Sequence, residues 1–192
     1  MEPFNKKIEL PFEHEPDPNR RAVMFLDWLS EEARSAGIPP PILVGGAAVA
    51  FYTGGCYTSG DIDMVSSHTD PIFDILRRHG FERDGRYWIK GSVVAEFPSS
   101  ELAGRYDIFE LPGGRSVRII SIEDLIADRL AAAKFWRSEK DRQWAGVLLR
   151  SATPDLKELT VRANADDTAD LLRELLDENE MEVEDYGYAP ER

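Results

Sequence analysis

Two aspartates one residue apart, in Asp61-Ile62-Asp63-Met64, are the side chains of this sequence best placed to do chemistry. Residues 61–65 alternate polar and apolar, the pattern of a strand with one buried face. Residues two apart on a strand share a side, so Asp61 and Asp63 project together while Ile62 and Met64 turn to the core. Paired carboxylates repel each other unless positive charge is supplied. A divalent cation supplies it, and Mg²⁺ favours a few carboxylates together with phosphate oxygens and water. The chemistry served by such a pair is in-line phosphoryl transfer, with one metal on the attacking oxygen and one on the leaving oxygen. An isolated pair of this kind also occurs on solvated strand edges and turns, so its surroundings decide the reading.

Upstream stands a short apolar run, Ile42-Leu43-Val44, followed by Gly45-Gly46 and a segment suited to a short helix through about Tyr52. Alone, the two glycines read as a simple turn. After a buried strand and before a helix, they let backbone N–H groups approach a phosphate at the helix N-terminus.

The elements that must position these residues follow from periodicity and punctuation. Residues 1–18 hold four prolines and read as an arm or loop. Asn19 is suited to cap a helix running to about Ala36, stopped by Gly37. Residues 53–60 form a Gly-rich loop, and Asp70-Pro71 opens a helix ending near Gly80. Strands are expected over 87–89, 93–97, 106–111 and 116–120, the last two joined by Pro112-Gly113-Gly114. Ser121-Ile122-Glu123-Asp124 is a helix-capping pattern for a helix to about Arg137. Further helices are expected from about Glu139 to Leu149, after Thr153-Pro154, and from Asp166 or Asp167 to about Glu178. Strands fill the middle and helices the end, giving an α+β fold with a mixed sheet flanked by helices. The organisation expected is an α/β core over 1–120, a helical region over 121–180 packed on it as one compact unit, and a mobile acidic tail over 181–192.

The apolar residue, Gly45-Gly46, spacer and Asp61-Ile62-Asp63 together resemble the signature of polymerase-β-type nucleotidyltransferases. The spacer of 14 residues, 47–60, is slightly longer than the usual pattern. Within that superfamily the chain is similar to proteins related to AbiEii-type toxins of type IV toxin–antitoxin systems. The resemblance covers roughly residues 40–145, and its Gly-Gly and Asp-Ile-Asp portion is the more specific. It implies a polymerase-β-type core and transfer of a nucleoside monophosphate from an NTP, ATP among them, to a tRNA or protein hydroxyl. It implies Asp61 and Asp63 as catalytic ligands of Mg²⁺ or Mn²⁺, and a third carboxylate on a later strand, for which Glu96 is the best match and Asp107 the alternative. Gly45, Gly46, Ser59, Asp128 and Lys134 would serve the nucleotide, Lys134 at the triphosphate with Asp128 positioning it. A cognate antitoxin is implied as a partner. The family commonly has a Ser or Thr and often a basic residue before its aspartates; here Tyr57-Thr58-Ser59-Gly60 has no arginine.

Other residues have plainer roles. The stripe Ile122, Leu125, Ile126, Leu130, Ala133 and Trp136 leaves Lys134 on its margin, where it can reach a site or simply snorkel. Arg129 falls inside the stripe and must find a carboxylate. Trp88, Trp136 and Trp144 read as packing residues, and His14, His68 and His79 as surface residues. Cys56, the single cysteine, has no base beside it to make it a nucleophile.

Composition bounds the rest. The chain has 192 residues, 42% of them hydrophobic, enough for a packed core. One cysteine and three histidines speak against a disulfide scaffold or a Cys/His zinc site. A net charge of −13 speaks against a broad nonspecific nucleic-acid surface. No apolar run suits a bilayer or a signal peptide, so a cytoplasmic location is the expectation. A catalytically inactive fold that binds nucleotide or a partner remains the rival reading.

Overall fold

The computed structural model describes residues 10–179; the acidic tail expected over 181–192 lies outside them. The chain divides into two compact units, one of residues up to 51 with 55–119, the other of 52–54 with those from 120 onward.

The first unit is built on a mixed sheet. Its strands are β1 (Ile42–Leu43), β2 (Ile62–Val65), β3 (Glu82–Asp84), β4 (Tyr87–Lys90), β5 (Val93–Ser99), β6 (Tyr106–Leu111) and β7 (Arg115–Ile120), in the order β3-β4-β5-β2-β1-β7-β6. β1 runs antiparallel to β2 and parallel to β7, and β2 runs parallel to β5. Its helices are α1 (Pro18–Ser35), α2 (Gly45–Tyr52) and α3 (Thr69–Arg78). Ile62 and Met64 are buried, as alternation on β2 requires. On β5, Phe97 shares a face with Ala95, and Phe73 of α3 packs on Phe97 and on Trp88 of β4 at ring distances of 5.5 and 5.0 Å. Helix α3 therefore closes the sheet face opposite Glu96, because 95 and 97 alternate with 96.

Four details differ from expectation. Asp17, not Asn19, caps α1: its carboxylate accepts from Asn19 N at 2.9 Å and Arg20 N at 3.4 Å, with Pro18 as the first helical residue. Strand β3 has no apolar residue to announce it; all three of its residues are exposed. It pairs with β4, and Arg83 lies over the rings of Phe73 and Trp88 at 5.4 and 5.8 Å. The segment before α1 is no free arm either. Phe12 is fully buried against Phe25, Trp28 and Phe81, and Glu13 pairs with Lys90 at 2.6 Å. His79 joins this cluster rather than the surface: its ring meets Trp28 edge-on at 5.0 Å and its Nε2 lies 3.2 Å from Glu32.

The second unit contains α4 (Ile122–Phe135), α5 (Glu139–Ser151), α6 (Leu156–Ala165) and α7 (Ala169–Glu178). Ser121 caps α4, accepting from Asp124 N at 3.2 Å. Helix α6 starts later than the Thr153-Pro154 reading: Asp155 caps it, and its own N–H donates to Glu123 Oε1 at 2.8 Å. Helix α7 likewise starts beyond Asp166 and Asp167, because Asp166 closes α6 and pairs with Arg162 at 2.9 Å. Arg129 finds its carboxylate in Asp141 at 2.8 Å. Trp136, expected as a packing residue, is 82% exposed beyond the end of α4. Among the described residues no helix is long and apolar enough to cross a membrane.

Replacing Phe12 with Ala should cost about 3–5 kcal/mol, the range for emptying a buried aromatic site. Urea unfolding followed by tryptophan fluorescence measures it. A loss below about 1 kcal/mol would mean the segment ahead of α1 contributes little to this core.

Candidate active site

The parallel register of β2 and β5 sets Asp63 directly beside Glu96. In-register neighbours share a sheet face, and Asp61 stands one pleat away from Asp63 on that face. Ligand oxygens of Asp61, Asp63 and Glu96 accordingly lie within 4.8 Å of one another. The two aspartates are half-buried and Glu96 is buried. Asp107, the alternative third carboxylate, is exposed on β6, three strands away from β2, and the structure does not bring it to the cluster.

The glycines are explained by contact. Gly45 begins α2 with φ +61°, a conformation L side chains avoid. A Cβ there would also collide with Asp63 Oδ2 and lie 3.0 Å from Asp63 Cβ. A Cβ on Gly46 would sit 2.5 Å from Ser59 Oγ and 2.9 Å from Tyr57 Cε1. Val44 N donates to Asp63 O at 3.0 Å, continuing the β1–β2 ladder up to the glycines. The N-terminal turn of α2 is thus pressed against one metal-type carboxylate and the loop that precedes the other.

That loop is tethered. Asn19, freed from capping duty, donates from Nδ2 to Tyr57 O at 2.9 Å and Gly55 O at 3.4 Å. Cys56 lies exposed between the two tethered residues. Ser59 Oγ donates to Asp61 Oδ1 at 3.3 Å, so in this structure Ser59 orients a carboxylate. A cavity of about 30 Å³ opens beside Asp61, with Asn19, Arg21, Ser59 and Val94 among its lining.

Among the described residues a basic group that the sequence did not single out, Arg86, stands against the acids. Arg86, at the turn between β3 and β4, places Nε 3.3 Å from Glu96 Oε2. Its guanidinium also donates to Tyr87 Oη at 2.6 Å. The bond to Tyr87, then the negative charges of Glu96 and Asp61, hold the Arg86 proton more tightly than usual. The only signal available was the charged hairpin Glu82–Arg86, which carries no strand pattern.

Asp128 and Lys134 both stand on α4 of the second unit. Asp128 is on the exposed side of the helix, and the protein around it raises its carboxyl pKa against the pull of Arg129. Lys134 donates to Asp170 Oδ1 at 2.9 Å and to Asp167 O, joining α4 to the segment that opens α7.

Comparison with known proteins adds the fold. No protein-family profile and no curated protein matches the chain. Among solved structures it is similar to an antigenic nucleotidyltransferase-like protein from Paracoccidioides brasiliensis, with TM-score 0.55 and 17% identity over 81% of this chain and 92% of that one. It is similar also to the antibiotic-resistance factor ANT(2'')-Ia, with TM-score 0.54 and 16% identity over 84% of this chain and 99% of that one. The chain has the nucleotidyltransferase fold. Among the described residues, the mixed sheet with its flanking helices agrees with the α+β, polymerase-β-type core expected from the sequence.

Gly45→Ala should push Asp63 aside and weaken Mn²⁺ binding by about tenfold to a hundredfold, the range for disturbing the surroundings that orient a metal ligand. Electron paramagnetic resonance titration reads this directly. Gly113→Ala, also strained by a positive φ of 93° but with nothing near the added Cβ, should leave Mn²⁺ affinity unchanged.

Proposed function

We propose that this protein is a metal-dependent nucleotidyltransferase that moves a nucleoside monophosphate from an NTP to an acceptor hydroxyl. The observation that carries the proposal is the convergence of Asp61, Asp63 and Glu96 beside the glycine start of α2. Three carboxylates with no thiolate or imidazole among them suit a hard cation, Mg²⁺ or Mn²⁺. Asp61 and Asp63 would hold it, with Glu96 as the third ligand. When bound, such a cation neutralises charge on the triphosphate and makes the acceptor hydroxyl easier to deprotonate. Ser59 would keep Asp61 in its ligating orientation. The N–H groups of Gly45 and Gly46 would receive the phosphates, favoured by the helix N-terminus. Catalysis by this chain would then be a matter of positioning and electrostatics. Asp128 and Lys134 keep, as part of this proposal, the nucleotide roles that the resemblance gives them.

The acceptor proposed is a tRNA or a protein hydroxyl, and the physiological role that of a toxin held in check by a cognate antitoxin. The support for these finer points is the sequence resemblance to AbiEii-type proteins. A rival reading has one observation in its favour: the Arg86 guanidinium already balances part of the acidic charge, as it would in a protein that binds nucleotide without turnover.

Incubation with each α-³²P-labelled NTP, Mg²⁺ or Mn²⁺, and total RNA or lysate separates these readings. Label on RNA or protein is expected, reduced at least about a hundredfold by Asp63→Asn with the circular dichroism spectrum unchanged. Nucleotide binding without transfer to either acceptor would favour the rival. For the toxin role, expression should arrest growth, and Asp63→Asn should relieve the arrest.

A further inference from the structure

Sheet geometry surrounds Glu96 with a second set of groups. Asp63 lies beside it on β2, and Tyr87 lies beside it on β4. The row Asp63, Glu96, Tyr87 thus crosses three adjacent strands on one face. Arg86 sits at the end of that row, its guanidinium 4.8 Å from the Tyr87 ring centroid. The Arg86 side chain is 68% exposed while that of Glu96 is 10% exposed. The pair therefore joins a buried ligand to a solvent-facing cation on a hairpin tip.

Two needs meet in that contact. A carboxylate oxygen bound to a guanidinium has less electron density and less room for a divalent cation, so the two cations compete. A guanidinium released from its carboxylate keeps a planar fork of donors suited to phosphate. The loop ahead of the aspartates, Tyr57-Thr58-Ser59-Gly60, carries no such group.

We propose that Arg86 is a resident counter-cation that yields Glu96 to the divalent metal and then binds a phosphate group of the acceptor. This rests on the nucleotidyltransferase reading and deepens it: the acceptor is anionic beside its hydroxyl, as a nucleic-acid end is. Arg86 is an acceptor-binding residue here. Glu96, Asp61 and Asp63 hold the metal, and Arg86 sets when Glu96 is available and where the acceptor lies.

The test uses the full chain with Mn²⁺ alone and then with inorganic phosphate. Arg86→Ala should bind Mn²⁺ about five- to tenfold more tightly than the natural chain, the scale of an ordinary coupling between two sites. In saturating Mn²⁺ the same variant should bind inorganic phosphate about tenfold more weakly, the loss of one charged hydrogen-bonding group. Arg86→Lys, which keeps the charge, should restore the natural Mn²⁺ affinity. Unchanged or weaker Mn²⁺ binding in Arg86→Ala overturns the proposal, as does unchanged phosphate binding. Equal tightening in Arg86→Lys assigns the effect to lost packing on Tyr87 and overturns it too. If the natural chain and Asp63→Asn bind Mn²⁺ alike, the metal site itself fails and Arg86 loses its role with it, a result distinct from the others.

Discussion

The register of one strand pair governs this molecule. Setting β2 parallel to β5 with Asp63 opposite Glu96 forces like charges together, and Asp61 adds a third. Like charges brought this close repel one another unless positive charge is supplied. The fold accepts that repulsion while closing the reverse face with Ile62, Met64, Ala95 and the rings of Phe73 and Trp88. A one-residue slip would bury the acids and expose the apolar set, so the core that holds the strands also fixes the acidic face. Charge balance then becomes a local problem, answered in part by the Arg86 guanidinium beside Glu96.

The glycine pair ties the two halves of this arrangement together. Gly45 has no room for a side chain because Asp63 occupies that space, and its positive φ starts α2 at the right angle. Gly46 is denied a side chain by the loop carrying Ser59, the residue bonded to Asp61. Backbone and carboxylates therefore share one packing arrangement, and a perturbation of either is felt by the other.

Much of this was legible in the sequence because it depends on nearest neighbours along the chain. Alternation over 61–65 reports which side chains share a face, and Ser121 announces its helix through its own hydroxyl. The choice between Glu96 and Asp107 was not legible, since it turns on strand order, a property of distant pairings. Strand β3 was hidden for a related reason: Glu82, Arg83 and Asp84 form an exposed edge, where nothing apolar is required. Arg86 was hidden with it. Asn19 was read as the cap in place of Asp17 because either side chain can cap a helix, and only the loop at Gly55 and Tyr57 gives Asn19 other employment. Trp136 misled because a helical stripe was extended past the point where α4 ends.

The tether on the Gly-rich loop also makes the chain convenient to instrument. Cys56, the sole thiol of the sequence, is exposed between the two carbonyls that Asn19 grips, three residues before Ser59. A maleimide fluorophore attached there would be placed without any engineering of other positions. It would ride on a segment held at both ends, so its emission would follow strain in the loop rather than idle tumbling of a free strand of chain.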